Sequence, residues 1–476
     1  MLSEPTKPCA PRETPTTQPS LRALSIPLCV PLTESLAENA KTQRNRPPLR
    51  PPCTPRDTHH ESKPLRSFLT LCLPLTEPLA EYAQPPGKSF TLTSPPIAPL
   101  SYWEQDAFWR DLDAVVIGGG LVGTQAAIHL RTQRPDWRVV QVEGSAGPLG
   151  ASTRNAGFAC FGSLTELLDD LQHHPPEAVW DLVAMRWRGL RYLRDTLGET
   201  AIGYQGWGGL EVFTEADEAS YQRCLAQMDQ VNAALRDLVG QSSVFVQADD
   251  RIGALGLGRT RHLIVNQAEG QLHPGRLMRR LLDLARAHGV ARWTGLPITD
   301  WTAVGDAICL QTAAGWEIQA RRVLVATNGF AQRLLPDLPV QPARNQILLT
   351  EPIPGLRLRG AFHYDRGYVY FRDVGQRVLI GGARNLDPHG EHTDILGESP
   401  TIQAHLQQLL QEMVIPNHPV QIAQQWSGIL GVGPQKLPII EALAPNLVVA
   451  VRLGGMGVAI GGEVGRQAAA KLLAAG

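Results

Sequence analysis

The sequence contains no apolar stretch approaching the 18 or so residues needed to cross a bilayer, so no segment reads as transmembrane. It carries no excess of one charge: 44 Lys and Arg stand against 45 Asp and Glu. A protein that coats nucleic acid shows its basic surface in that balance, so a nucleic-acid partner is not expected. Cysteine pattern is missing too. Seven cysteines are scattered without a C-x-x-C, four of them at 9, 29, 53 and 72. An odd, unpatterned set argues against a disulfide framework and for a reducing, cytoplasmic compartment. There is no G-x-S-x-G nucleophile elbow. His59–His60 and His173–His174 are adjacent pairs rather than i, i+4 pairs, so no metal site is expected.

Glycine is nearly absent from the first hundred residues, where Gly87 stands alone among 20 of the chain's 38 prolines. Prolines at that density remove backbone donors and forbid long helices. The apolar content is too thin to offset the entropy of ordering. "LCVPLTESLAENA" at 28–40 returns as "LCLPLTEPLAEYA" at 71–83, but two Pro-broken copies do not make a solenoid. Residues 1–105 are expected to be a disordered appendage. Sequence upstream of the true start and a targeting segment are the other readings. The folded chain is expected to begin near "SYWEQDAFWRDLD", from Ser101.

What is present begins with "VVIGGGLVGTQAAIHL", Val115 to Leu130. Val115, Val116 and Ile117 read as a buried parallel strand. Gly118-x-Gly120-x-x-Gly123 then turns straight into a helical pattern. A side chain at Gly118 would block the turn, one at Gly120 would hold the backbone off a pyrophosphate, and one at Gly123 would stop the helix closing on the strand. The first N–H groups of the helix, with Leu121 and Val122, face the phosphates. "WRVVQVEG" supplies the second strand, and Glu143 stands where a carboxylate accepts ribose hydroxyls. The small, hydroxyl-rich "GPLGASTRNAGFACFG" (147–162) follows with no second crossover.

This constellation resembles the D-amino-acid-oxidase-like family of FAD-dependent oxidoreductases, whose members include glycine oxidase, sarcosine oxidase and related amine oxidases. The resemblance runs from about Asp113 to the end. It is carried further by "GQLHPGRLMRRLLDLARAHGV" (270–290), "RRVLVATNGFAQRLLP" (321–336), "QWSGILGVGPQKLPIIEAL" (425–443) and "NLVVAVRLGGMGVAIGGEVGRQAAAKLL" (446–473). It implies that Ser152, Thr153, Arg154, Asn155 and Gly157 run along the cofactor toward the flavin. It also implies that Gly455, Met456 and Gly457 bring a helix N-terminus to the ring, where partial positive charge stabilises the reduced flavin. Some members link FAD to a cysteine near 425–443. This chain has none after Cys309, so noncovalent FAD is expected. Cys160 reads as a core residue, and Lys436 either approaches the flavin or sits in solvent.

The resemblance implies an α/β chain: a Rossmann-like FAD domain (106–180, 262–335 and 425–476) with an inserted α+β substrate domain of mostly antiparallel sheet (181–261 and 336–424). "GYVYFR" (367–372) and "RVLIGGAR" (377–384), joined by a turn signal, read as a hairpin. Alternation puts Tyr368, Tyr370 and Arg372 on one face, and these are the catalytic-side candidates. Arginine grips a carboxylate through two parallel bonds, so Arg372 is the expected substrate clamp. Arg344 and Arg384 are alternatives, and His363 is within possible reach. The implied activity is oxidation of a C–N bond in an amino acid or secondary amine, with electrons passing to oxygen or another acceptor. A 2-hydroxy-acid dehydrogenase delivering electrons to a quinone, and a non-catalytic FAD-binding subunit, remain open.

Overall fold

The computed structural model describes residues 98–475. Most of the expected disordered segment therefore lies outside the described residues. Its last residues depart from the expectation. Tyr102–Glu104 and Gln105–Trp109 form two short helical turns. Ser101 opens them: its Oγ accepts the Glu104 N–H at 3.2 Å, while the Glu104 carboxylate accepts the Ser101 N–H at 2.7 Å. Reciprocal capping of this kind satisfies two donors that a helix start leaves without partners. Trp109 then stacks on Trp293, ring centres 4.9 Å apart, and pins the turn to the fold.

Leu112–Ile117 is the central strand of a parallel sheet. Val139–Glu143 lies on one side and Glu317–Val325 on the other, both parallel to it. Ala291–Thr294 and Leu447–Val451 extend the sheet outward, also parallel, and Ile439–Ala444 closes one edge antiparallel. The centre strands are continuous apolar runs because both faces are covered. One face packs helix Leu121–Gln133 against helix Gly457–Ala474, and Gly465 lacks the Cβ that would stand 2.6 Å from the Val122 carbonyl. On the other face Val115 and Val140 share a core with Ile308, Leu310 and Ile318 of an antiparallel extension.

A second sheet of eight strands runs in the order Ile422–Val432, Gln341–Thr350, Arg377–Gly382, Val369–Val374, Ala361–Tyr364, Gly209–Phe213, His262–Asn266, Phe245–Gln247. Every neighbouring pair is antiparallel except Ala361–Tyr364 with Gly209–Phe213. The fold class is the α/β architecture with a mostly antiparallel second sheet. His262–Asn266 and Ile422–Val432 both pair in this second sheet, so the boundaries expected at 262 and 425 cut across it.

The hairpin forms with Val374 opposite Arg377, and Gly375 turns the chain at φ +64°. Tyr370 and Arg372 face the loop after Glu143. Val369 and Phe371 face the other way, into a core where Phe371 stacks on Phe362 at 4.7 Å. Tyr368 lies in the preceding turn, outside the strand, so it does not continue that alternation.

Candidate functional site

The glycine turn sits at the carboxyl end of the central strand, between the ends of its two parallel neighbours, where an open α/β sheet leaves a crevice. Gly118 adopts φ +117°, a conformation that side chains rarely take. A Cβ there would also strike the Ala326 carbonyl at the end of the adjacent strand. At Gly123 a Cβ would strike the Gly118 carbonyl, so this glycine sets how closely the helix returns on its own turn. At Gly120 it would stand 2.8 Å from Ser152 Oγ, which instead accepts the Leu121 N–H at 2.9 Å.

Glu143 ends the second strand with its carboxylate folded over the turn. One oxygen accepts the Gly119 N–H at 2.7 Å; the other accepts the Ser145 N–H at 2.9 Å and hydroxyl at 2.6 Å. Arg292, on the outer strand Ala291–Thr294, reaches toward the same carboxylate. Burial lowers its pKa, and the charge of Glu143 works against that shift. Its Nε and Nη2 are buried without a hydrogen-bond partner. Nothing in "VARWTG" signals this, because the residue is brought to Glu143 by strand order alone.

A cavity of about 590 Å³ opens over the turn. That is the scale of a small-molecule or cofactor site. Gly118, Gly120, Leu121, Val122 and Glu143 line it, as do Ser152, Arg154 and Asn155. Gly455 and Gly457 line the far side with Leu430. Gly123, Thr153, Gly157 and Met456 do not line it. Gly123 acts in packing, and the Thr153 hydroxyl turns inward to the carbonyls of Pro148 and Gly150. Gly157 holds φ +77° beside the Leu272 carbonyl, and Met456 caps the last helix with no side-chain bond. The donor set is one a dinucleotide needs: two helix starts, at Leu121 and Gly457, a carboxylate at the strand end, and glycines whose missing side chains leave the backbone approachable. FAD fits these residues.

The loop after Glu143 is held from two sides. The Asn155 side chain bonds back to the carbonyls of Ala151 and Ser152 and accepts the Gly157 N–H. Arg154 donates to the Leu149 carbonyl at 2.9 Å and to the Ser427 carbonyl at 2.8 Å. Trp426 donates its indole N–H to the Arg154 carbonyl. A Cβ on Gly428 would lie 3.2 Å from Arg154 Cβ. The "WSG" of the second sheet is thus a docking surface for this loop.

Arg372 has a different employment from the clamp expected of it. It is buried, 6 % exposed, and its Nη1 donates to the carbonyls of Ala156, Gly157 and Leu272 at 3.1, 3.1 and 2.8 Å. Its Nε donates to Asp373 O at 3.1 Å. Burial lowers its pKa to about 10, against the pull of Asp373. It ties the cofactor loop to the second sheet. Tyr370 packs edge-on to Phe158, ring centres 5.4 Å apart, and accepts the Asn345 amide at 3.1 Å. Tyr368 lies under the Arg384 guanidinium. Arg344 is spent on Glu391, 2.7 Å away. Lys436 forms ion pairs with Asp170 at 2.6 Å and Glu166 at 3.4 Å. His363 reaches the Phe158 ring at 5.2 Å. Sequence reading missed Glu269, which accepts the Phe161 and Gly162 N–H groups at 2.6 and 2.9 Å behind the loop.

A family model described as "FAD dependent oxidoreductase" matches residues 113–471. Among curated proteins, the chain is 25 % identical over 366 residues to the probable oxidoreductase OrdL of Rhizobium meliloti, covering 75 % of this chain and 82 % of that one. Among solved structures, iminodiacetate oxidase from Chelativorans sp. superposes with a TM-score of 0.62 at 19 % identity, covering 76 % of this chain and 95 % of that one. Glycine oxidase from Geobacillus kaustophilus gives 0.61 at 19 %, covering 76 % and 94 %.

Proposed function

The chain belongs to the DAO family of FAD dependent oxidoreductases, and from that premise we propose that it oxidises a C–N bond of a small amine or amino acid. The observation that carries this is the cavity itself. It runs from the glycine turn to the start of helix Gly457–Ala474 and is bordered by the second sheet at Ile429 and Leu430. The resemblance to an iminodiacetate oxidase and a glycine oxidase supports an amine-bearing substrate.

FAD, when bound, supplies the hydride acceptor for such a substrate. The chain supplies the rest. Glu143 would accept ribose hydroxyls, and the start of helix Leu121–Gln133 would meet the pyrophosphate through Val122 N–H, with Ser152 Oγ holding the Leu121 N–H beside it. The first turn of helix Gly457–Ala474, at the cavity's edge, would offer N–H donors and partial positive charge to a bound flavin. Phe158 and Tyr370 pack edge to face where the loop meets the second sheet. Arg372 positions the loop beside that pair.

FAD is held without a covalent link in this reading, since none of Cys160, Cys224 and Cys309 lines the cavity. The same buried free thiols suit a reducing, cytoplasmic setting. Among the described residues no helix is long and apolar enough to cross a membrane. Oxygen or another acceptor takes the electrons. The test is anaerobic addition of a panel of amines, amino acids and 2-hydroxy acids to the yellow protein. Bleaching by the nitrogen compounds is the expected outcome. Bleaching by hydroxy acids alone, or by no compound, would overturn the proposal.

A further inference from the structure

Behind the cofactor loop, three segments distant in sequence bring Cys160, Glu269 and His363 together. A thiol sulfur, a carboxylate oxygen and an imidazole nitrogen all lie within 4.8 Å of one another. Cys160 follows the short strand Phe158–Ala159. Glu269 sits in the turn before Gly270–Gln271, which pairs with that strand. His363 comes from strand Ala361–Tyr364 of the second sheet.

Two of these groups have an unused atom. Glu269 is 1 % exposed, and its Oε1 is fixed by the Phe161 and Gly162 N–H groups. Its Oε2 is buried with no hydrogen-bond partner, and so is His363 Nε2. The two atoms face each other at 4.0 Å, beyond the reach of a direct hydrogen bond. Cys160 makes a long contact, 3.6 Å, to the Gly270 carbonyl and lies beside the Glu269 carboxylate. Buried polar atoms left without partners are rare and costly. Here two of them converge on one point beside a thiol. Gly209 keeps the point open, because a Cβ there would occupy the place of Glu269 Oε2.

We propose that Cys160, Glu269 and His363 bind a zinc-type divalent cation. Sulfur, nitrogen and oxygen donors from three residues are the mixed set that Zn²⁺ accepts, with a fourth tetrahedral position left for water or another ligand. A dication compensates one thiolate and one carboxylate, and a neutral imidazole is the form that ligates. The cation would join the cofactor loop, the Glu269 turn and the second sheet at one point. No such spacing is visible in the sequence, where the residues lie at 160, 269 and 363. The inference does not depend on the substrate class proposed above.

The test uses the full-length, FAD-loaded protein incubated with zinc sulfate and then dialysed. Zinc per chain is read by plasma mass spectrometry and FAD by absorbance. About one zinc per chain is expected. Glu269→Gln keeps an acceptor for the Phe161 and Gly162 N–H groups. It should nonetheless weaken zinc binding by more than the roughly 10- to 100-fold that outer-sphere changes bring, while FAD content stays. Cys160→Ala and His363→Gln should do the same. Cobalt loading of the unaltered protein provides a readout that needs no variant: thiolate-to-cobalt charge-transfer absorption is expected. Failure to retain zinc, retention undiminished in all three variants, or a cobalt spectrum without sulfur ligation would overturn the site.

Discussion

The indole nitrogen of Trp426 lies 3.0 Å from the carbonyl oxygen of Arg154 and donates its hydrogen to it. The edge strand of the second sheet thereby holds the loop that lines the cofactor cavity. A neutral hydrogen bond of this kind contributes about 1 kcal/mol net. Trp426→Phe keeps the apolar contact and removes the donor. FAD should dissociate roughly fivefold more readily, as read by flavin fluorescence titration. An unchanged affinity would show that the loop holds its shape without the bond.

Arg372 serves four backbone carbonyls from a buried position. Arg372→Ala should therefore cost on the order of 3 kcal/mol in urea denaturation, since buried acceptors lose their donor. Arg372→Lys should recover part of it, because one ammonium cannot reproduce the fork. Residual activity should fall alike on substrates with and without a carboxylate. Selective loss on carboxylate substrates, at unchanged stability, would return the clamp role to Arg372.

Gly120→Val places a side chain against Ser152 Oγ, at the point where Ser152 meets the start of the helix. Purified protein should be colourless. Glu143→Ala should retain some FAD, but with weaker affinity, because it loses the brace on Gly119 and the proposed ribose acceptor. Equal FAD content in Glu143→Ala and the unaltered protein would remove that carboxylate from the site.

Glu463 offers a pH test away from the site. Burial pushes its carboxyl up, but Arg466 and Gln467 outweigh that and hold it below the usual range; Arg466 grips both oxygens, at 2.7 and 2.9 Å. A carboxyl lowered on folding stabilises the protein above its unfolded pKa of about 4.3, and that stability is lost as pH falls through the lower folded value. Glu463→Gln should melt below the unaltered protein at pH 7, and the gap should close in acid. A gap that stays constant with pH would mean that the charge is not what matters.

The strand–turn–helix–strand core was legible because each glycine and the terminal acid answer a local demand within 30 residues. The hairpin was legible for the same reason, with alternation on either side of Gly375. Arg372 was placed on the face that meets the loop, but the backbone carbonyls it serves there were not foreseen. Alternation tells which way a side chain points and says nothing of what has been folded up against it. In this case that is three carbonyls from segments 100 to 216 residues away. Glu269 and Arg292 left no trace. Each acts through a partner supplied by strand order, and Phe158–Ala159 and Gly270–Gln271 are too short to show a period.

The loop from Gly150 to Gly162 has one bank on the parallel sheet's first helix, through Ser152, and the other on the antiparallel sheet, through Arg154 and Arg372. The second sheet is therefore not a module that can be exchanged freely. A graft that varied Tyr368, which makes none of these bonds, would leave the frame standing. A graft that dropped Arg372, Trp426 or Gly428 would take the loop's support with it. Diversification in this architecture is open across the face of the sheet and closed along the line where the loop is moored.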